Sequence, residues 1–158
     1  MEETRIQYNT AVLSKKKGFN IPVPAYYSQE GKLIINFEDS GYNESEYYFD
    51  ANSFNENWND GRRVNDVNNS CYGCNKGSYK PVYSAPTQSL LQKFLREVHN
   101  IHIEINLGHD QLHIWYDFHL YKIEKSYNYT PIGQSESELK TYEAALEQAL
   151  ITGLNLIK

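Results

Sequence analysis

Residues 101–107 read Ile-His-Ile-Glu-Ile-Asn-Leu, an unbroken alternation of apolar and polar side chains, and residues 112–123 alternate in the same way. A period of two fits a strand and excludes an amphipathic helix. Gly108, His109, Asp110 and Gln111 lie between the two runs and favour a turn, here a four-residue hairpin loop. Strands joined so closely pair antiparallel, with one face apolar and the other polar. Whatever else the chain does, it must cover that apolar face.

The flanking segments supply the cover. Residues 84–87 (Ser-Ala-Pro-Thr) open a helix, with Leu90, Leu91, Phe94, Leu95 and Val98 on one face and Asn100 at its end. Thr141 caps a last helix running to Ile157, whose stripe is Tyr142, Ala145, Leu146, Ala149, Leu150, Gly153, Leu154 and Ile157. Residues 124–139 between hairpin and helix read as a loop. Residues 4–17 form a further helix, with Ile6, Thr10, Leu13 and Lys17 on one stripe, stopped by Gly18 after three lysines. Pro22 and Pro24 then impose extended chain, and residues 25–28 and 32–37 form a second hairpin around Gly31.

The stretch 38–80 is different. It holds nine of the 16 asparagines and no Leu, Ile or Met, so it cannot build a core of its own. We read residues 39–80 as a long Asn- and Tyr-rich insertion pinned by aromatics, with one short strand at 46–49. The chain of 158 residues is then a single α+β domain spanning 1–158, a small antiparallel sheet built from hairpins with three helices.

Composition excludes several classes. A mean hydropathy of −0.68 leaves no run near the ~20 apolar residues of a membrane span. An aromatic fraction of 14% excludes full disorder. A net charge of −5 argues against nucleic acid as the main partner. Two cysteines are no disulfide framework, and the polar start MEETRIQYNT has no apolar leader, so the expected location is cytoplasmic. No dinucleotide-binding glycine motif, Walker motif, nucleophile elbow or His-Glu-x-x-His occurs.

Three groups of residues invite chemistry. If Leu107 pairs with Leu112, the polar face of the hairpin sets His102 opposite Asp117, Glu104 opposite Trp115 and Asn106 opposite His113. His119 and Tyr121 continue the same face. A His-Asp pair orients an imidazole for base catalysis, and two imidazoles with a carboxylate hold a divalent metal. The plain alternative is a solvated polar face. Cys71 and Cys74 have the spacing of two zinc ligands but lack a second such pair, so no cofactor is expected, zinc being the one to test for. Third, Tyr26, Tyr27, Trp115, Tyr116, Phe118, Tyr121, Tyr127 and Tyr129 are candidates for a stacking platform of the kind single-strand binders use.

The string YSAPTQSLLQKFLREVHNI (83–101), with TYEAALE (141–147), the terminal Leu-Ile-Lys and TAVLSKKKGF (10–19), resembles a family of small uncharacterised proteins carried by phages and prophages of Bacteroidetes. It implies a lineage and a host, and carries over no catalytic residue. Together with an insertion suited to adaptable contacts, it leads us to expect a cytosolic accessory protein that binds rather than catalyses. Its partner is expected to be a host protein or a small anionic or nucleotide ligand, and an uncovered sheet face also invites a homodimer. The alternatives are a metal-dependent hydrolase using the His/Asp cluster of 101–123, and a single-stranded nucleic-acid binder.

Overall fold

The computed structural model describes residues 3–21, 23, 25–28, 30–35, 62–64, 78–80, 83–124 and 128–158, with backbone alone at 34–35, 62–64 and 78–80. The elements run α1 (Tyr8–Lys16), β1 (Ala25–Tyr27), β2 (Leu33–Ile35), β3 (Arg62–Val64), β4 (Ser78–Lys80), β5 (Tyr83–Ser84), α2 (Gln88–His99), β6 (Ile101–His109), β7 (Ile114–Ile123), β8 (Tyr129–Gln134) and α3 (Tyr142–Leu156). Every strand pairing is antiparallel, and the class is α+β. Contacts divide the chain into two compact units, Asn20–Ala85 and the combination of Met1–Phe19 with Pro86–Lys158.

The unit Asn20–Ala85 holds the sheet β2-β1-β5 and the ribbon β3-β4. The first hairpin forms as its turn residues require: Tyr26 faces Ile34, Gly31 takes φ +79°, and Ser28 N–H donates to Lys32 O. The expected strand at 46–49 and the pair Cys71 and Cys74 lie outside the described residues. The ribbon sets Arg62 against Lys80, two strands not foreseen in the Asn-rich stretch.

The other unit holds the sheet β6-β7-β8, with α2 against β6 and α3 packed on β6, β7 and β8. Ile103 faces Leu120 and Ile105 faces Phe118 on the covered side, where Phe118 and Leu120 are fully buried, as are Leu91 and Leu95 of α2 and Leu150 and Leu154 of α3. Burying each such side chain contributes about 1.5–3 kcal/mol, which is what fixes the helices to this face.

Helix ends follow their signals. The Thr87 side chain accepts from Leu90 N–H and that of Thr141 from Ala144 N–H, while Asn100 closes α2 in the left-handed region at φ 56°. Gly18 at φ +82° ends α1, with Phe19 N–H donating to Ser14 O.

Four expectations need correction. First, α1 starts at Tyr8 rather than Thr4, because residues 4–7 run extended beside the entry to α2: Ile6 N–H donates to Pro86 O and Gln88 N–H to Thr4 O. Second, α1 buries Thr10, Ala11 and Ser14, so its packed stripe is rotated away from Leu13 and Lys17. Third, Val98 is 59% exposed, beyond the edge of the face that Leu91, Phe94 and Leu95 bury. Fourth, the presumed loop 124–139 contains β8. Pro131, Gly133 and a one-residue bulge opposite Leu120/Tyr121 disrupt its alternation, and proline is tolerated there because β8 is an edge strand.

Glu147 was not foreseen at all. It sits on the packed side of α3, 5% exposed, where Oε1 accepts from Gln7 N–H at 2.8 Å and from Thr10 Oγ1 at 2.5 Å. Its Oε2 accepts from Gln88 Nε2 at 2.9 Å, and the same Nε2 donates to Glu143 O. One carboxylate thus links the start of α1, the start of α2 and the middle of α3.

Candidate functional site

The hairpin turn decides what lies opposite what. Asp110 Oδ1 accepts from Leu112 N–H at 2.8 Å and from His113 N–H at 2.7 Å, an Asx-type turn. Those two donors hold its carboxyl below the usual carboxylate range. The four-residue loop is therefore 110–113, and β6 continues through Gly108 and His109 to pair His109 with Ile114.

This moves the register by four residues on β7 from the expected one. His102 faces Tyr121 rather than Asp117, Glu104 faces His119 rather than Trp115, and Asn106 faces Asp117 rather than His113. An even shift returns every side chain to the same side of the sheet. Hence His102, Glu104, Trp115, Asp117, His119 and Tyr121 do share the side away from the helices, though with different neighbours. His113 leaves that group. It lies in the loop, its side chain 74% exposed, with Nδ1 3.5 Å from Asp110 Oδ1.

On the open face, Asn106 Nδ2 donates to Asp117 Oδ1 at 2.9 Å, and that oxygen is also 3.9 Å from His119 Nε2. The expected pair of His102 with Asp117 does not form, since His102 lies opposite Tyr121, and the imidazole near Asp117 is that of His119. Among the described residues, no group of three or more His, Cys, Asp and Glu side chains is arranged to hold a metal ion.

What the face does assemble is a row of rings. The Trp115 indole occupies the space beside Gly108, where an added Cβ would meet Nε1 at 2.3 Å. His119 stacks on Tyr121 with centroids 6.2 Å apart, and Tyr121 meets Tyr129 of β8 edge-to-face at 6.3 Å. The expected platform is thereby reduced: Tyr116 and Phe118 point to the helix side, Tyr26 and Tyr27 belong to the unit Asn20–Ala85, and Tyr127 lies outside the described residues. Tyr129, 66% exposed, joins the face through β8, the strand missed in the sequence.

Burial, reinforced by nearby Arg96, lowers the His102 pKa below 6.5. Burial does the same to His99, whose Nε2 has no hydrogen-bond partner among the described residues and whose ring packs edge-on against Phe94. In both cases the unfolded chain holds the proton more tightly, so stability rises with pH up to about 6.5 and falls on acidification. The thermal midpoint is accordingly expected to drop between about pH 7.5 and 5.5, and to drop less in His99→Phe. Equal pH dependence in the two proteins would remove His99 as a cause.

No protein-family model, curated protein or solved structure matches this chain. Among the described residues, no helix is long and apolar enough to cross a membrane.

Proposed function

We propose that this chain is a cytosolic accessory protein of phage or prophage lineage that binds a host protein through the open face of β6-β7-β8. The observation that carries the reading is the ring row on a hydrogen-bonded sheet: Trp115 against Gly108, His119 stacked on Tyr121, and Tyr129 beside Tyr121. Half-exposed Trp and Tyr held rigid supply contact area at little entropic cost, as protein interfaces require.

Charge favours a protein over an anion. The outward positions of its strands carry the carboxylates of Glu104 and Asp117 and, among the described residues, no Lys or Arg, the nearby cation being Arg96 of α2 beside His102. A phosphate or nucleic-acid backbone would meet acid, whereas a partner with exposed arginine would meet complementary charge.

The test is affinity capture from a Bacteroidetes lysate with the parent chain and with Trp115→Ala/Tyr121→Ala. A host protein retained by the parent is expected to fall at least tenfold with the double variant, the usual size for truncating central aromatics. Equal retention by both, or nothing retained by the parent, contradicts the reading.

A further inference from the structure

We propose that the outer edge of β6, at the hairpin tip, pairs with the same edge of a second copy of this chain about a two-fold axis at Leu107. This stands apart from the open-face reading, because it uses the edge of the sheet rather than its face.

The register shows which backbone groups are spent. Ile123 N–H donates to Asn100 O and Asp110 N–H to His113 O, so the even-numbered residues of β6 bond to β7. The N–H and C=O groups of Ile101, Ile103, Ile105, Leu107 and His109 therefore turn outward. Gln92 Nε2 of α2 reaches Ile103 O at 3.4 Å and occupies the edge there. The outward groups of Ile105, Leu107 and His109 have no partner among the described residues.

Two further observations point to the same edge. The opposite edge of the sheet, β8, carries Pro131, Gly133 and a bulge, devices that block strand addition, whereas 101–109 contains no Pro, no Lys and no bulge. The tip also exposes aliphatic surface: Leu107 is 60%, Ile114 67% and Leu112 85% accessible. Leu107 belongs to the apolar side of the hairpin, yet no helix among the described residues covers it.

A second copy satisfies both at once. Antiparallel pairing centred on Leu107 sets Leu107 against Leu107 of the other copy and Ile105 against His109 in each direction. Each of those three pairs exchanges two backbone bonds. On the helix side, Tyr116 already neighbours Leu107, so the rows join as Tyr, Leu, Leu, Tyr across four strands. A centre at Ile105 would break the bond from Gln92 to Ile103, and a centre at Leu107 leaves it intact. The two sheets become one of six strands, with both open faces on the same side.

Thiol coupling reads the register directly. Paired residues of this kind have Cα atoms ~5.5 Å apart, within disulfide range. Under mild oxidation Leu107→Cys is expected to give a covalent dimer, whereas Ile105→Cys, facing His109, gives no more than the parent chain with its Cys71 and Cys74. Sedimentation of the parent should report twice the 18.4 kDa chain mass at high concentration. Leu107→Pro should report one chain mass with an unchanged circular dichroism spectrum, since the lost N–H points away from β7. A monomeric parent at about 100 µM, a dimeric Leu107→Pro, or equal coupling at positions 105 and 107 overturns the proposal. Should Leu107→Pro fail to fold, the cysteine pair still decides.

Discussion

Replacing Glu147 by Ala is expected to remove about 3–5 kcal/mol of stability, a large part of the roughly 5–15 kcal/mol that holds an ordinary domain folded. The carboxylate accepts from Gln7 N–H, Thr10 Oγ1 and Gln88 Nε2, and its removal leaves the first two donors unpaired and Gln88 Nε2 with Glu143 O alone, beside a new cavity. Each orphaned donor costs about 1–3 kcal/mol, and they are not additive because they share one acceptor. Glu147→Gln separates hydrogen bonding from packing. It fills the same volume and still accepts from Gln7 and Thr10, but sets an amide donor against Gln88 Nε2, for an expected loss of about 1–2 kcal/mol. Urea unfolding of the three proteins checks the order. A loss below about 1 kcal/mol for Glu147→Ala would mean that the network is not what joins the three helices.

The second large effect belongs to Gly153, where α3 approaches α2 and β6. A Cβ there would stand 3.0 Å from Leu95 Cδ1 and 3.6 Å from Ile101 Cγ2. Valine adds two methyl groups beyond that point, and overpacking of this kind costs about 2–3 kcal/mol. Alanine is expected to be near neutral, since the ~1 kcal/mol it gains in helix propensity offsets a small displacement of Leu95. Thermal or urea unfolding of Gly153→Val beside Gly153→Ala decides the matter. Equal stability of the two would show that Leu95 yields freely and that the approach is not tight.

How far the sequence reaches depends on the kind of signal. The hairpin 101–123, the helix start within 84–87, the cap at Thr141 and the stop at Gly18 are local, each fixed by residues within a few positions, and all were legible. The hairpin register was not, because Gly108 and Asp110 are both turn formers and only the Asp110 carboxylate, by binding Leu112 and His113 N–H, selects the second. The sidedness of the face survived that error only because the shift was even. β8 was hidden by Pro131 and Gly133, which read as loop in isolation and as an edge strand once β7 lies beside them. Tyr129, expected in the ring platform, reaches the face through that strand. Glu147 carries no local signal of burial, since its three donors come from residues up to 140 positions away. The Glu147 two turns before Gly153 looks like an ordinary surface residue of α3 until α1 is in place.

The most direct test of the open face as a partner surface is amide chemical-shift mapping of the isotope-labelled chain with the protein it captures. Shifts and broadening should centre on His102, Glu104, Trp115, Asp117, His119, Tyr121 and Tyr129, and leave α3 unperturbed. Perturbations confined to the hairpin tip around Leu107 and Leu112, or to the helix side, with the face silent, would contradict it.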